Sequence, residues 1–195
     1  MIRLSKKKKD RKGEPFRFLT RIFINAAGLY SDRISLMAGI DNHDYRLKYC
    51  KGDYFRVHHN KGRFLSHLIY PTPADDSVSL GIHTVLDLAG GLRLGPDAKY
   101  VNAIEYTVDE NKAEIFYEDV RRCLPFIQLS DLSADTSGIR PKLQSEGEDF
   151  RDFVIKEESD RDFAGFVNLI GIDSPGLTCC FSIAKEVSKI IESFC

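Results

Sequence analysis

The chain has 195 residues, 28 basic and 29 acidic for a net charge of −1, and 43% of them are hydrophobic. That balance leaves no global field to draw nucleic acid or a membrane surface, and the apolar share suffices for a real core in one domain with room for a smaller lobe. No apolar run approaches the ~18 residues of a membrane span, and five cysteines with no C-x-x-C pair suit a reducing compartment, cytoplasmic or mitochondrial.

The chain opens on "LSKKKKDRKGEPF", with basic residues at Lys6–Lys9, Arg11 and Lys12. Such a tract serves either as a targeting or nucleic-acid patch or as a solvated turn. The balanced charge elsewhere favours the turn, so residues 1–15 are expected to be a basic, flexible N-terminus without a nucleic-acid role. No apolar segment follows Met1, and a signal peptide is not expected. "FRFLTRIFINAAG" (16–28) alternates and then turns continuously apolar, as a strand with one buried end does. "SDRISLMAG" (31–39) predicts a short helix with Ser31 or Asp32 as N-cap and Gly39 as the stop.

From 45 to about 110 the pattern changes. "RLKYCKGDYFRVHH", "FLSHLIYPTP", "SVSLGIHTVL" and "GLRLGPDA" are short, β-branched or aromatic, and broken by Gly, Pro and Asp-Asp, which predicts an antiparallel meander. A helix is expected over 111–123, capped by Asp109, stopped by Pro125, and burying Ala113, Phe116, Tyr117, Val120 and Leu124. "TSGIRPKL", "RDFVI" and "GFVNLIGI" return to strand. The chain ends in an amphipathic helix with Leu177, Cys180, Phe181, Ala184, Val187, Ile191 and Phe194 on one face. This order predicts an α+β fold: a mixed, largely antiparallel sheet with a flanking helix, inserted between α/β segments whose ends lie side by side.

"GIDSPGLT" (171–178) sits between the last strand and the last helix. A helix start presents unpaired N–H groups and a partial positive charge, Pro175 restricts the turn, and Gly176 permits close approach to the backbone. An anion or an electron-rich carbonyl suits such a place, although strand–Gly–helix junctions also occur for packing alone. His43, His58, His59 and His67 lack partners at metal-ligand spacing, so no metal is expected. Cys179 and Cys180 read as packing residues rather than a redox pair.

"INAAGLYSD", "KGDYF", "LIYPTP", "LGIH", "LGPDA", "SGIRPKL" and "GIDSPGLT" occur in this order over residues 18–192. The series resembles the FAD-dependent oxidoreductases of the D-amino-acid oxidase superfamily, and within it the L-2-hydroxyglutarate dehydrogenase/oxidase-like proteins. The resemblance implies that residues 16–40 and 164–195 belong to an FAD-binding layer and that 41–163 form a substrate-binding lobe. It implies cofactor-binding roles for Asn25, Ala26, Ala27, Gly28 and Ser31 on the adenosine and diphosphate side. Gly171, Ser174, Pro175, Gly176, Leu177 and Thr178 would face the flavin ring, where a positive helix end stabilises negative charge near N1. Arg140 would bind a substrate carboxylate, as a planar fork of donors suits. Tyr70 would donate to the substrate or close its pocket. His83 is the candidate to take the hydroxyl proton of a small 2-hydroxy acid while hydride leaves Cα for the flavin. Lys51 and Tyr54 are expected to shape the sheet near it.

The superfamily's opening strand–G-x-G-x-x-G–helix unit is not found in this sequence. The chain is therefore expected to act as the C-terminal, flavin-capping part of such an enzyme. It would be inactive without a separate N-terminal half or a homo-oligomeric partner, or else serve as a non-catalytic carboxylate-binding or protein-interaction module.

Overall fold

A computed structural model describes residues 2–9, 15–72 and 81–194. The chain divides into two units, one made of residues 1–47 and 141–195, the other of residues 48–140. The described residues form an α+β mixture with three α-helices and mostly antiparallel sheets.

In the first unit β1 (Ile2–Lys9) pairs antiparallel with β2 (Pro15–Thr20). Lys6–Lys9, expected in a turn or frayed end, lie in this strand, while Arg11 and Lys12 fall outside the described residues. The continuously apolar end of "FRFLTRIFINAAG" becomes β3 (Phe23–Asn25). It runs parallel to β10 (Phe163–Ile170), which pairs antiparallel on its other edge with β9 (Val154–Glu158). Phe166, Val167 and Ile170 are buried in this sheet, as a strand covered on both faces requires.

Helix α1 (Ser31–Ala38) follows β3 through a single helical turn and closes on Gly39 in the left-handed region. Its N-cap is Tyr30 rather than Ser31 or Asp32. Ser31 is already inside the helix and fully buried, and the Asp32 carboxylate instead accepts from the Arg33 and Leu47 backbone N–H groups. Helix α3 (Cys180–Glu192) buries only Val187. Phe181 and Leu177, expected on its buried face, are 86% and 89% exposed.

The second unit is a sheet in the order β5 (His83–Leu86), β6 (Leu92–Gly95), β4 (Lys48–Val57), β7 (Lys99–Val101), with β8 (Leu132–Lys142) also on β4. Phe64 ends a 3-10 turn, residues 65–72 of "FLSHLIYPTP" form no strand, and Pro73 and residues 77–80 of the next expected strand fall outside the described residues. Helix α2 (Ala113–Val120) follows a 3-10 turn whose start Asp109 caps, accepting from the Asn111 N–H. Phe116, Val120 and Leu124 enter a core with Phe55, Val57, Ile82, Leu92, Leu94 and Ile127, the Phe55 and Phe116 ring centres 4.6 Å apart. Lys51 and Lys112 converge on the buried Asp53, with Asp97 and Glu105 completing the charge set, so "KGDYF" is anchored by ion pairs. Pairing offsets part of the desolvation cost of burying these charges, and removing one partner would strand the others.

Candidate functional site

In the first unit, β3 and β10 run parallel with Asn25 opposite Asn168. The turns that follow them, 26–30 and 171–179, therefore leave from the same end of the pair. The carboxyl end of parallel strands is where ligands sit in open α/β sheets, because the chain turns there and offers unpaired backbone groups. Gly28 has φ +55° with no atom within 4 Å of where a Cβ would stand. Ala26 is exposed and Ala27 half-buried. This is open, small-residue backbone.

Two of the expected cofactor contacts turn inward. Asn25 is 1% exposed, and its amide donates to the Ser31 carbonyl at 2.7 Å and to Asn168 Oδ1 at 2.7 Å. The Ser31 side chain is buried as well. Both hold the turn from beneath instead of presenting side chains at its surface: each lies where the chain reverses onto the core, and a buried amide must spend its donors.

In the second turn Ser174, Pro175, Leu177 and Thr178 are exposed, whereas Gly171 and Gly176 are buried. Gly176 serves the turn itself, since a Cβ there would stand 2.6 Å from the Asp173 carbonyl and from Ile172 Cγ2. The helix begins at Cys180, four residues beyond Gly176, so its positive end is not at Gly176. Asp173 pairs with Lys142 at 2.9 Å, both side chains nearly buried, which ties the turn to the end of β8. Gly171, at φ +72°, meets the Leu143 side chain where its Cβ would be, 2.6 Å from Cγ. Gly171→Ala should therefore destabilise the unit by roughly 2–4 kcal/mol, from left-handed strain plus overpacking. Leu143→Ala in the same chain should recover the packing part. Chemical denaturation of the wild type and these two variants measures this, and an unchanged midpoint for Gly171→Ala would refute the steric account.

In the second unit, Arg140 on β8 is half-buried, and among the described residues no carboxylate lies within ion-pair distance of it. Tyr54 stands on the adjacent β4. Burial pushes its phenol above the ordinary tyrosine range while the Arg140 charge pulls it back down. The phenol thus stays protonated, a donor beside a cationic fork. Sequence reasoning gave Tyr54 only a shaping role; the signal was its place in "KGDYF" on the strand next to "GIRP".

His83 lies on β5, with its ring stacked on Tyr70 at 4.5 Å between centres. Its Nδ1 is 2.8 Å from the Gly81 carbonyl, which can only accept. Nδ1 therefore carries a proton, so Nε2 is the ring atom that can accept one. Tyr70 is in a loop rather than a strand. The pair lines a small cavity of about 40 Å³ with Asp119, Val120 and Cys123. The structure joins His83 to Tyr70 but not to Arg140: β6 and β4 intervene between their strands, a lateral separation of ~14 Å at ordinary strand spacing.

Residues 3–190 match the family described as FAD dependent oxidoreductase, DAO. L-2-hydroxyglutarate dehydrogenase, mitochondrial, of Arabidopsis thaliana is 32% identical over 183 residues, covering 88% of this chain and 38% of that protein. Glycerol 3-phosphate dehydrogenase of Caloramator mitchellensis is 27% identical over 177 residues, covering 89% and 34%. Among solved structures, FAD-bound L-alpha-glycerophosphate oxidase from Mycoplasma pneumoniae superposes with a TM-score of 0.68 at 22% identity, over 87% of this chain and 42% of that one. The chain thus spans less than half of each of these three proteins, but the family match runs through nearly all of its own length: this chain belongs to the DAO family of FAD-dependent oxidoreductases.

Proposed function

We propose that this chain is the substrate-binding and flavin-capping part of an FAD-dependent oxidoreductase acting on a small 2-hydroxy acid of the L-2-hydroxyglutarate type. The single observation that carries the reading is Arg140, half-buried beside the protonated Tyr54, with no acidic partner among the described residues. An arginine without a counter-ion in such a place is suited to a carboxylate brought by a ligand.

FAD fits the open backbone at Ala26–Gly28 and the exposed Ser174, Pro175, Leu177 and Thr178. The chain has no G-x-G-x-x-G turn to receive the diphosphate. When bound, FAD supplies the two-electron acceptor. The chain's own residues hold and orient the substrate: Arg140 and Tyr54 take the carboxylate remote from the hydroxyl, and Nε2 of His83, on a strand ~14 Å away, takes the hydroxyl proton at the substrate's other end. Tyr70 stacks on the His83 ring and limits its rotation.

His83→Asn tests the proton role. The asparagine amide can still donate to the Gly81 carbonyl, so local structure is kept while the base is lost. In a flavin-loaded assembly containing this chain, kcat should fall ~10²–10⁴-fold with little change in substrate affinity. An unchanged kcat makes His83 structural.

The substrate class is tested by titrating L-2-hydroxyglutarate and glycerol 3-phosphate separately. Tighter binding of the hydroxy acid supports the reading, and preference for the phosphate ester overturns it. A non-catalytic carboxylate-binding module is the second reading, favoured by the two strands that separate His83 from Arg140. It predicts the same ligand binding with no flavin reduction.

A further inference from the structure

A buried chain of polar side chains lies under the first of the two turns. The Glu158 carboxyl group, 0% exposed, accepts from the Tyr45 hydroxyl at 2.7 Å and from the Asn168 amide at 2.8 Å, both on Oε1. Arg161 Nε and Lys156 Nζ stand 3.5 and 4.0 Å from Oε2. Asn168, also 0% exposed, donates in addition to Ser35 Oγ at 3.2 Å and accepts the Asn25 amide on Oδ1. Asn25 then donates to the Ser31 carbonyl.

The bonds have one possible direction. A carboxylate only accepts, so Asn168 must turn its NH₂ toward Glu158. That leaves Asn168 Oδ1 facing Asn25, which must in turn present its own NH₂. The second N–H of Asn25 then reaches the Ser31 carbonyl, at the far side of the 26–30 turn. Reversing any member would set two donors or two acceptors face to face in a buried site, which costs more than the loss of one bond. The orientation is thus held at both ends by groups that only accept, the Glu158 carboxylate and the Ser31 carbonyl, and Glu158 anchors the end remote from the turn across three strands, β9, β10 and β3.

We propose that Glu158 is a positioning residue for the cofactor-facing turn at Ala26–Tyr30, acting through Asn168 and Asn25. The proposal rests on the reading of that turn as an FAD contact only for its purpose; the relay itself is a property of this chain. A buried carboxylate on an asparagine lodged in the middle of the apolar β10 serves packing poorly, since apolar side chains of the same size would fill the space at no desolvation cost. Its use is to hold Asn168, and through it Asn25, in the one direction that the Ser31 carbonyl also accepts.

Hydrogen–deuterium exchange of the full 195-residue chain, without FAD, tests this. Glu158→Met removes the acceptor at similar length. Glu158→Gln keeps an oxygen for Tyr45 and Asn168. The methionine variant should raise exchange in peptides covering 26–31 by about ten-fold or more over its change in the second unit's core strands, and the glutamine variant should restore the wild-type rate. Equal loss of protection throughout the chain, or no change at 26–31, overturns the proposal. Should Glu158→Met not fold, the isosteric Asn168→Asp decides on the same measure, because it sets two carboxylates against each other and withdraws the directed donor. FAD binding is measured separately by absorption. Its absence would remove the cofactor reading and leave the exchange result standing.

Discussion

Arg140→Ala should lower the affinity of a flavin-loaded assembly for L-2-hydroxyglutarate by about 30-fold to several thousand-fold, the equivalent of ~2–5 kcal/mol for a desolvated charge-assisted pair. The size follows from the setting. Arg140 is half-buried on β8, Tyr54 on the neighbouring strand stays protonated, and no carboxylate among the described residues neutralises the guanidinium. A ligand carboxylate would there gain two parallel N–H bonds that water supplies less well inside a cleft. Arg140→Lys should recover only a small part, since a point charge cannot form the fork. Tyr54→Phe should cost much less, about ten-fold, as one hydrogen bond to a charged acceptor. Isothermal titration with the hydroxy acid measures all three. Equal affinities for wild type and Arg140→Ala would take Arg140 out of the site.

The parts of the fold that follow from local chemistry were legible in the sequence. Helix α1 and its Gly39 stop, Asp109 as a cap, and the strands at "GFVNLIGI" and "TSGIRPKL" rest on short-range patterns that tertiary contacts reinforce. The misplacements have physical causes. The aromatic and β-branched composition that suggested a strand in "FLSHLIYPTP" yields to Pro71, which cannot donate to a ladder. The α3 stripe shows where an apolar face lies but not whether anything described covers it, so Phe181 was expected inside and stands outside. Asn25 and Ser31 matched a motif, and a motif does not say which way a side chain points. Asn168 did leave a trace, as the one polar residue within the apolar run "FVNLI", whereas Glu158 is one carboxylate among 29 acidic residues and becomes visible only when β9 and β10 pair.

On its own, this chain should neither hold FAD tightly nor stay a clean monomer. The diphosphate of a dinucleotide normally sits on backbone N–H groups at a Gly-rich turn opening a helix, and the chain contains no G-x-G-x-x-G. The contacts it does offer, at Ala26–Gly28 and Ser174–Thr178, would reach only part of the cofactor. Apolar surface is left open in the same unit. A groove of about 620 Å³ runs between α3 and the parallel pair, lined by Ile24, Ala26, Leu169, Ile172, Ile183, Ala184, Val187 and Ile191. Beyond β3, among the described residues, no further strand pairs with the sheet. Parallel strands are ordinarily covered on both faces, and an open edge beside an apolar groove invites another chain. A dinucleotide-binding half supplied separately would add both the covering layer and the diphosphate turn; without it, a second copy of this chain is the available cover. Purified protein incubated with excess FAD and then desalted should show no flavin absorption band, and light scattering behind size exclusion should report a dimer or larger species. Ile183→Lys, placing a charge in the groove, should shift that species toward monomer. A stoichiometric flavin on a monomer would overturn both expectations, and an unchanged oligomer in Ile183→Lys would move the self-association surface away from the groove.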